Sequence, residues 1–127
     1  MIAIFGLADR LNPIQARMSD VLHGCLVEVL GLPADKRAHR FFPMARDDFY
    51  YPGGRSEAYT AIAIDLIAGR TEASKKALIT TIFTRFASEL GIEPIDVEIT
   101  IREQPAHCWG FRGMTGDEAA LSYKIDV

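Results

Sequence analysis

Two cysteines in 127 residues are too few for a disulfide framework. Cys25 falls on an apolar helical stripe and Cys108 in a late loop, so a reducing, cytoplasmic setting is expected. Basic residues are not in excess: 14 Lys and Arg against 17 Asp and Glu give a formal charge of -3, and the cations are scattered along the chain. No electrostatic footprint for a polyanion results, which excludes nucleic acid as the expected partner. No apolar run approaches the roughly 18 residues of a membrane span, and no basic segment, apolar stretch and small-residue cleavage site follow one another at the N-terminus. Neither membrane insertion nor export is expected. Three histidines and two cysteines without ligand spacing imply no metal, and nothing points to another cofactor.

What the chain does have is a pattern stated twice. An apolar strand at Ile2 to Phe5 leads to Asn12-Pro13, which reads as an N-cap with proline at the first helical position. Ile14, Met18, Val21, Leu22, Cys25 and Val29 keep a three-or-four spacing up to Gly31, predicting a helix over 13–30. Alternation over 36–42 predicts a strand after the Pro33 turn. The second statement begins with an apolar strand over 60–67, continues with Thr71 as N-cap and places Leu78, Ile79, Ile82, Phe83, Phe86 and Leu90 on one helical face before Gly91. A strand over 95–102 follows, with Val97, Ile99 and Ile101 on one side. Further strand character is predicted at 122–127.

These elements predict one α/β (α+β) domain over 1–127, made of tandem β-α-β units at about 1–42 and 60–102. A right-handed crossover makes the strands of each unit parallel, giving a four-stranded sheet with both helices on one face. The bare face would then hold Ala61, Ala63, Glu98 and Thr100 together with Arg37 and His39, too mixed for a core and too apolar for free water. Burial in an oligomer is expected. The long segment 43–55, with Asp47, Asp48, Tyr50 and Tyr51, reads as a loop that touches a ligand or a neighbouring subunit.

The two units, the Gly69-Arg70-Thr71 turn, the run Glu72-Ala73-Ser74-Lys75-Lys76, Leu30-Gly31-Leu32-Pro33 and the late Trp109-Gly110-Phe111 together resemble the tautomerase superfamily. The likeness is to its two-unit branch, which includes malonate semialdehyde decarboxylase and the chloroacrylic acid dehalogenases. The resemblance implies a homotrimer whose bare sheet faces meet around an axis, with sites at subunit boundaries. It also implies an N-terminal proline amine as catalytic group and an arginine, here Arg70, that holds a substrate carboxylate. This chain begins Met1-Ile2, so the amine expected at the site is that of Met1. A further arginine of the decarboxylase-like members is Ala68 here, and their strand acid is Lys36. With Lys36, Arg37 and Arg40 close together, the expected site is cationic and suited to a carboxylate.

The candidate catalytic residues are therefore Met1 and Arg70, and the candidate substrate-binding residues are Lys36, Arg37, His39 and Trp109, the last with Phe111 as an apolar wall. His39 has the side chain to serve as a base near neutral pH. His23 falls opposite the apolar stripe and is expected to be solvated. The implied function is keto-enol proton transfer on a small 2-oxo or enol carboxylate, weak or altered without the proline. The alternative is a non-catalytic trimeric scaffold that binds a small anion or a protein partner.

Overall fold

A computed structural model describes residues 1–127. Strand β1 (Ile2–Leu7) runs into a helical turn α1 (Ala8–Leu11), a 3-10 turn over 12–14 and helix α2 (Gln15–Leu30). Strand β2 (His39–Met44) closes the first unit. Strand β3 (Thr60–Ile67), helix α3 (Glu72–Arg85) with a π-helical last turn over 86–90, and strand β4 (Val97–Gln104) form the second, and a short hairpin of β5 (Gly110–Phe111) and β6 (Met114–Thr115) follows. The sheet order is β2-β1-β3-β4, parallel within each unit and antiparallel where β1 meets β3. Ile2 pairs with His39 and Thr60 with Val97, a step of 37 residues in both units. The duplication is thus kept down to strand register.

Local chemistry explains the boundaries. Thr71 caps α3, its hydroxyl accepting from the Ser74 N–H at 3.1 Å. Gly31 and Gly91 end the two helices in the left-handed region, at φ 70° and 68°. Asn12 is not the cap expected of it: it is helical at φ −54° and ψ −44°, and its N–H bonds back to the Ala8 carbonyl. Helix begins a turn earlier because doing so buries Leu11, and Pro13, which cannot donate and crowds the carbonyl four residues before it, accounts for the 3-10 interruption. β2 starts at His39 rather than Lys36 and runs on through Pro43, which an edge strand tolerates. Pro94 opens a 3-10 turn, so β4 begins at Val97 and not at Ile95. The segment 122–127 forms no strand. It is a strap whose terminal Val127 oxygen accepts from the Thr71 N–H at 3.0 Å and the Ser74 hydroxyl at 2.9 Å.

Both long helices cover one face of the sheet. Met18, Leu22, Cys25, Leu26 and Leu30 of α2 and Leu78, Ile82 and Phe86 from the second helix meet Ile2, Ile4, Ile62, Ile64, Leu66 and Val97 in one cluster. Ile64 lies at its centre and is fully buried. Ile64→Ala should lower unfolding free energy by about 2–5 kcal/mol, the usual cost of emptying such a site, measured by chemical denaturation.

The other face carries Ala3, Phe5, Arg40, Phe42, Ala61, Ala63, Asp65, Glu98, Thr100 and Arg102, none of them buried. Phe5 stacks on Phe42 with ring centroids 4.8 Å apart, and Arg102 Nε donates to Asp65 at 2.8 Å. Arg37 and His39 do not belong to this face. Both turn toward α2, because the register that packs Phe41 against the core puts every second residue of this segment on the helix side. Arg40 takes the bare-face position instead.

Candidate active site

The turn from β3 to α3 places Arg70 beneath the sheet end. Gly69 makes this turn possible: at φ 145° it lets the strap pass so close that an added Cβ would meet the Ile125 carbonyl at 3.0 Å. Arg70 is only 6% exposed, yet no carboxylate of the chain pairs with it. One of its terminal nitrogens donates to the Ile67 carbonyl at 2.9 Å, Nε is buried without a partner, and the guanidinium lies 5.9 Å from the centre of the Tyr123 ring. Glu103, the nearby acid, is already held by Lys75 at 2.6 Å. A desolvated cation with free donors is costly unless an anion completes it.

Met1 lies across the same space. Its amine donates to the Asp65 carbonyl at 2.9 Å while the Asp65 N–H bonds back to the Met1 carbonyl at 2.8 Å, fixing the chain end against β3. Burial pushes this amine below its ordinary pKa; Asp65 opposes the shift, and Arg40 and Arg70 add to it. More of it is therefore neutral at pH 7 than of an ordinary α-amine, whose pKa is about 7.7–8.0.

Between them is a cavity of about 470 Å³. Its walls bring together all six sequence-derived candidates, Met1, Lys36, Arg37, His39, Arg70 and Trp109. They play different structural parts. Lys36 is exposed at the rim. Arg37 is tied to Asp20 at 2.6 Å and to the Ser19 hydroxyl at 3.2 Å. His39 Nδ1 lies 2.8 Å from that hydroxyl. Burial, His23, Arg37 and the terminal amine together push His39 down to about 4, so it is neutral at pH 7. The Trp109 indole N–H donates to the Gln104 carbonyl at 3.2 Å, which orients the ring beside Phe111. His23 is 3% exposed, not solvated, because the chain after Gly31 turns back and sets the Pro33 carbonyl 3.1 Å from Nε2. Sequence reasoning missed Asp65, Arg112 and the residues Ala120 to Tyr123 at the entry to the strap, which also line the cavity. Only the charge of Asp65 in an otherwise apolar strand signalled any of them.

The chain has relatives of known family and fold. The family model described as tautomerase enzyme matches residues 36–112, more than half of the chain. The chain belongs to the tautomerase family. Among its relatives is the probable tautomerase YusQ of Bacillus subtilis (strain 168), 29% identical over an alignment of 100 residues that covers 75% of this chain and 79% of that protein. Of solved structures, FG41 malonate semialdehyde decarboxylase inhibited by 3-bromopropiolate is 28% identical, with a TM-score of 0.83 over 95% of this chain and 98% of that one. A fused 4-OT described as an asymmetric trimer is 25% identical, with a TM-score of 0.80 over 92% and 96%. The tautomerase fold is thus common to these two solved structures and to this chain. In this tautomerase-family chain Met1 immediately precedes β1, and no helix is long and apolar enough to cross a membrane.

Proposed function

We propose that this tautomerase-family protein moves a proton between keto and enol forms of a small 2-oxo carboxylate, with the Met1 amine as base and Arg70 as carboxylate holder. The buried, unpaired Arg70 guanidinium facing the Met1 amine across one cavity is the observation that carries this reading. The neutral amine takes a proton from the carbon beside the carbonyl; the electron pair moves to oxygen, and the ammonium so formed returns a proton to oxygen or carbon. Lys36 and Arg37 add positive potential at the mouth that attracts the anion. Trp109 and Phe111 keep water away from it. The mixed bare face is the surface this reading assigns to assembly of three copies; a fused 4-OT relative is itself a trimer.

The test is solvent-deuterium exchange at C3 of a simple 2-oxo acid, followed by NMR, with the natural chain, Arg70→Ala and Met1→Pro. Exchange by the natural chain that falls in Arg70→Ala supports the reading. A second reading, a non-catalytic trimeric scaffold that holds a small anion, is favoured by the Met1 amine's bond to the Asp65 carbonyl, which occupies one of its protons. Exchange by Met1→Pro alone would select it. Intact mass of the native protein establishes which residue carries the amine.

The pH dependence has a defined sign. Exchange should rise with pH as the amine loses its proton, with a midpoint below the ordinary α-amine range. Asp65 raises this pKa, so Asp65→Asn should move the midpoint to lower pH, and release of Arg102 from its ion pair adds to the shift. A pH–rate profile of the two proteins checks it.

A further inference from the structure

The proton transfer just described builds negative charge on the carbonyl oxygen before the ammonium returns its proton, and no donor that stabilises that charge has yet been assigned. We infer that His39 is this group, a neutral donor held as its Nε2–H tautomer by Ser19, a positioning residue; the inference rests on the keto-enol reading above.

The tautomer follows from the hydrogen bonds around Ser19. Its oxygen already accepts from Arg37 at 3.2 Å. A helical hydroxyl ordinarily returns its own proton to the carbonyl one turn back, as Thr80 does to Lys76 at 3.1 Å and Thr84 to Thr80 at 3.0 Å. Ser19 makes no such bond, and the remaining acceptor within reach is His39 Nδ1 at 2.8 Å. The Ser19 O–H therefore donates to Nδ1, and the ring proton sits on Nε2. Arg37 also donates to Asp20, which anchors it, so donation runs outward from Arg37, to Asp20 on one side and through Ser19 to His39 on the other.

The surroundings hold the ring neutral. Facing it are Arg37, the terminal amine and His23, whose ring centroid is 6.0 Å away edge-on and whose Nε2 carries a proton because the Pro33 carbonyl is its partner. No carboxylate bonds the imidazole, and its low pKa agrees with that arrangement. Nε2 makes no hydrogen bond within the chain, is not sealed from solvent, and belongs to a residue on the cavity wall. A preset donor aimed at developing charge is the kind of group whose removal costs about 10²–10³ in rate.

The first measurement is the tautomer. Long-range ¹H–¹⁵N correlation on the full-length protein with labelled histidine, at pH 7, should show His39 as Nε2–H, and Ser19→Ala should shift it toward a mixture. The second is kinetic: His39→Phe should lower kcat for C3 exchange about 10²-fold with little change in KM, and His39→Gln, which keeps an N–H, should recover part of the loss. A dominant Nδ1–H or charged His39, or a His39→Phe effect confined to KM, overturns the assignment while exchange by the natural chain leaves the Met1 and Arg70 roles standing. No exchange by the natural chain would remove both together.

Discussion

Replacing Arg70 by alanine is expected to lower kcat/KM for a 2-oxo carboxylate by about 10²-fold. Two charge-assisted hydrogen bonds to a carboxylate, each net about 1.5–3 kcal/mol, make about 3 kcal/mol a conservative loss, and each 1.4 kcal/mol is a factor of ten. The guanidinium is suited to the task because it is buried without a carboxylate partner, with one terminal nitrogen on the Ile67 carbonyl and Nε unpartnered. Arg70→Lys should recover the charge but not the planar two-donor geometry, and should fall between the two. Steady-state kinetics on all three proteins, with circular dichroism to show that each is folded, checks the order.

The second large effect concerns the Met1 amine. Extending the chain by two residues ahead of Met1 carries the amine up to about 7 Å from its present place, since each residue spans about 3.3–3.6 Å. Loss of a positioned base typically costs 10²–10⁴, so exchange should fall by about 10³-fold. The core should tolerate the change, because Met1 is 46% exposed and β1 is held by its ladders to β2 and β3 from Ile2 onward. Equal thermal stability of extended and natural proteins, with exchange lost only in the former, is the expected result.

These roles rest on features of unequal legibility. Thr71, Gly31 and Gly91 mark helix ends by their own chemistry, a hydroxyl that caps and glycines that turn left-handed, so the second helix could be placed closely from sequence. The parallel pairing within each unit followed from its β-α-β pattern, whereas the antiparallel join of β1 to β3 did not. Asn12-Pro13 misled because the same dipeptide serves an interrupted helix, and burial of Leu11, a tertiary effect, decided between the two. The side on which His39 lies depended on where β2 begins. A strand has a period of two, so its later start at His39 with Phe41 inward reassigned Arg37, His39 and Arg40 together. The strap was not legible at all. It has no periodicity, and what holds it is its terminal oxygen at the first turn of α3 and Tyr123 over Arg70, contacts between residues more than 50 apart. Asp65 was visible as a residue, but its influence on Met1 requires the antiparallel pairing of β1 with β3.

The most direct test of a reactive Met1 amine beside an anion-binding Arg70 is labelling with 3-bromopropiolate, the compound that inhibits the decarboxylase relative. Its carboxylate should seat on Arg70 and its electrophilic alkyne should take up the neutral amine. Mass spectrometry of the intact protein and its peptides should find one adduct per chain, on Met1, formed more slowly in the presence of a 2-oxo carboxylate and in Arg70→Ala. Label spread over lysines or the exposed Cys108, or Met1 left unmodified while those residues react, would contradict the account.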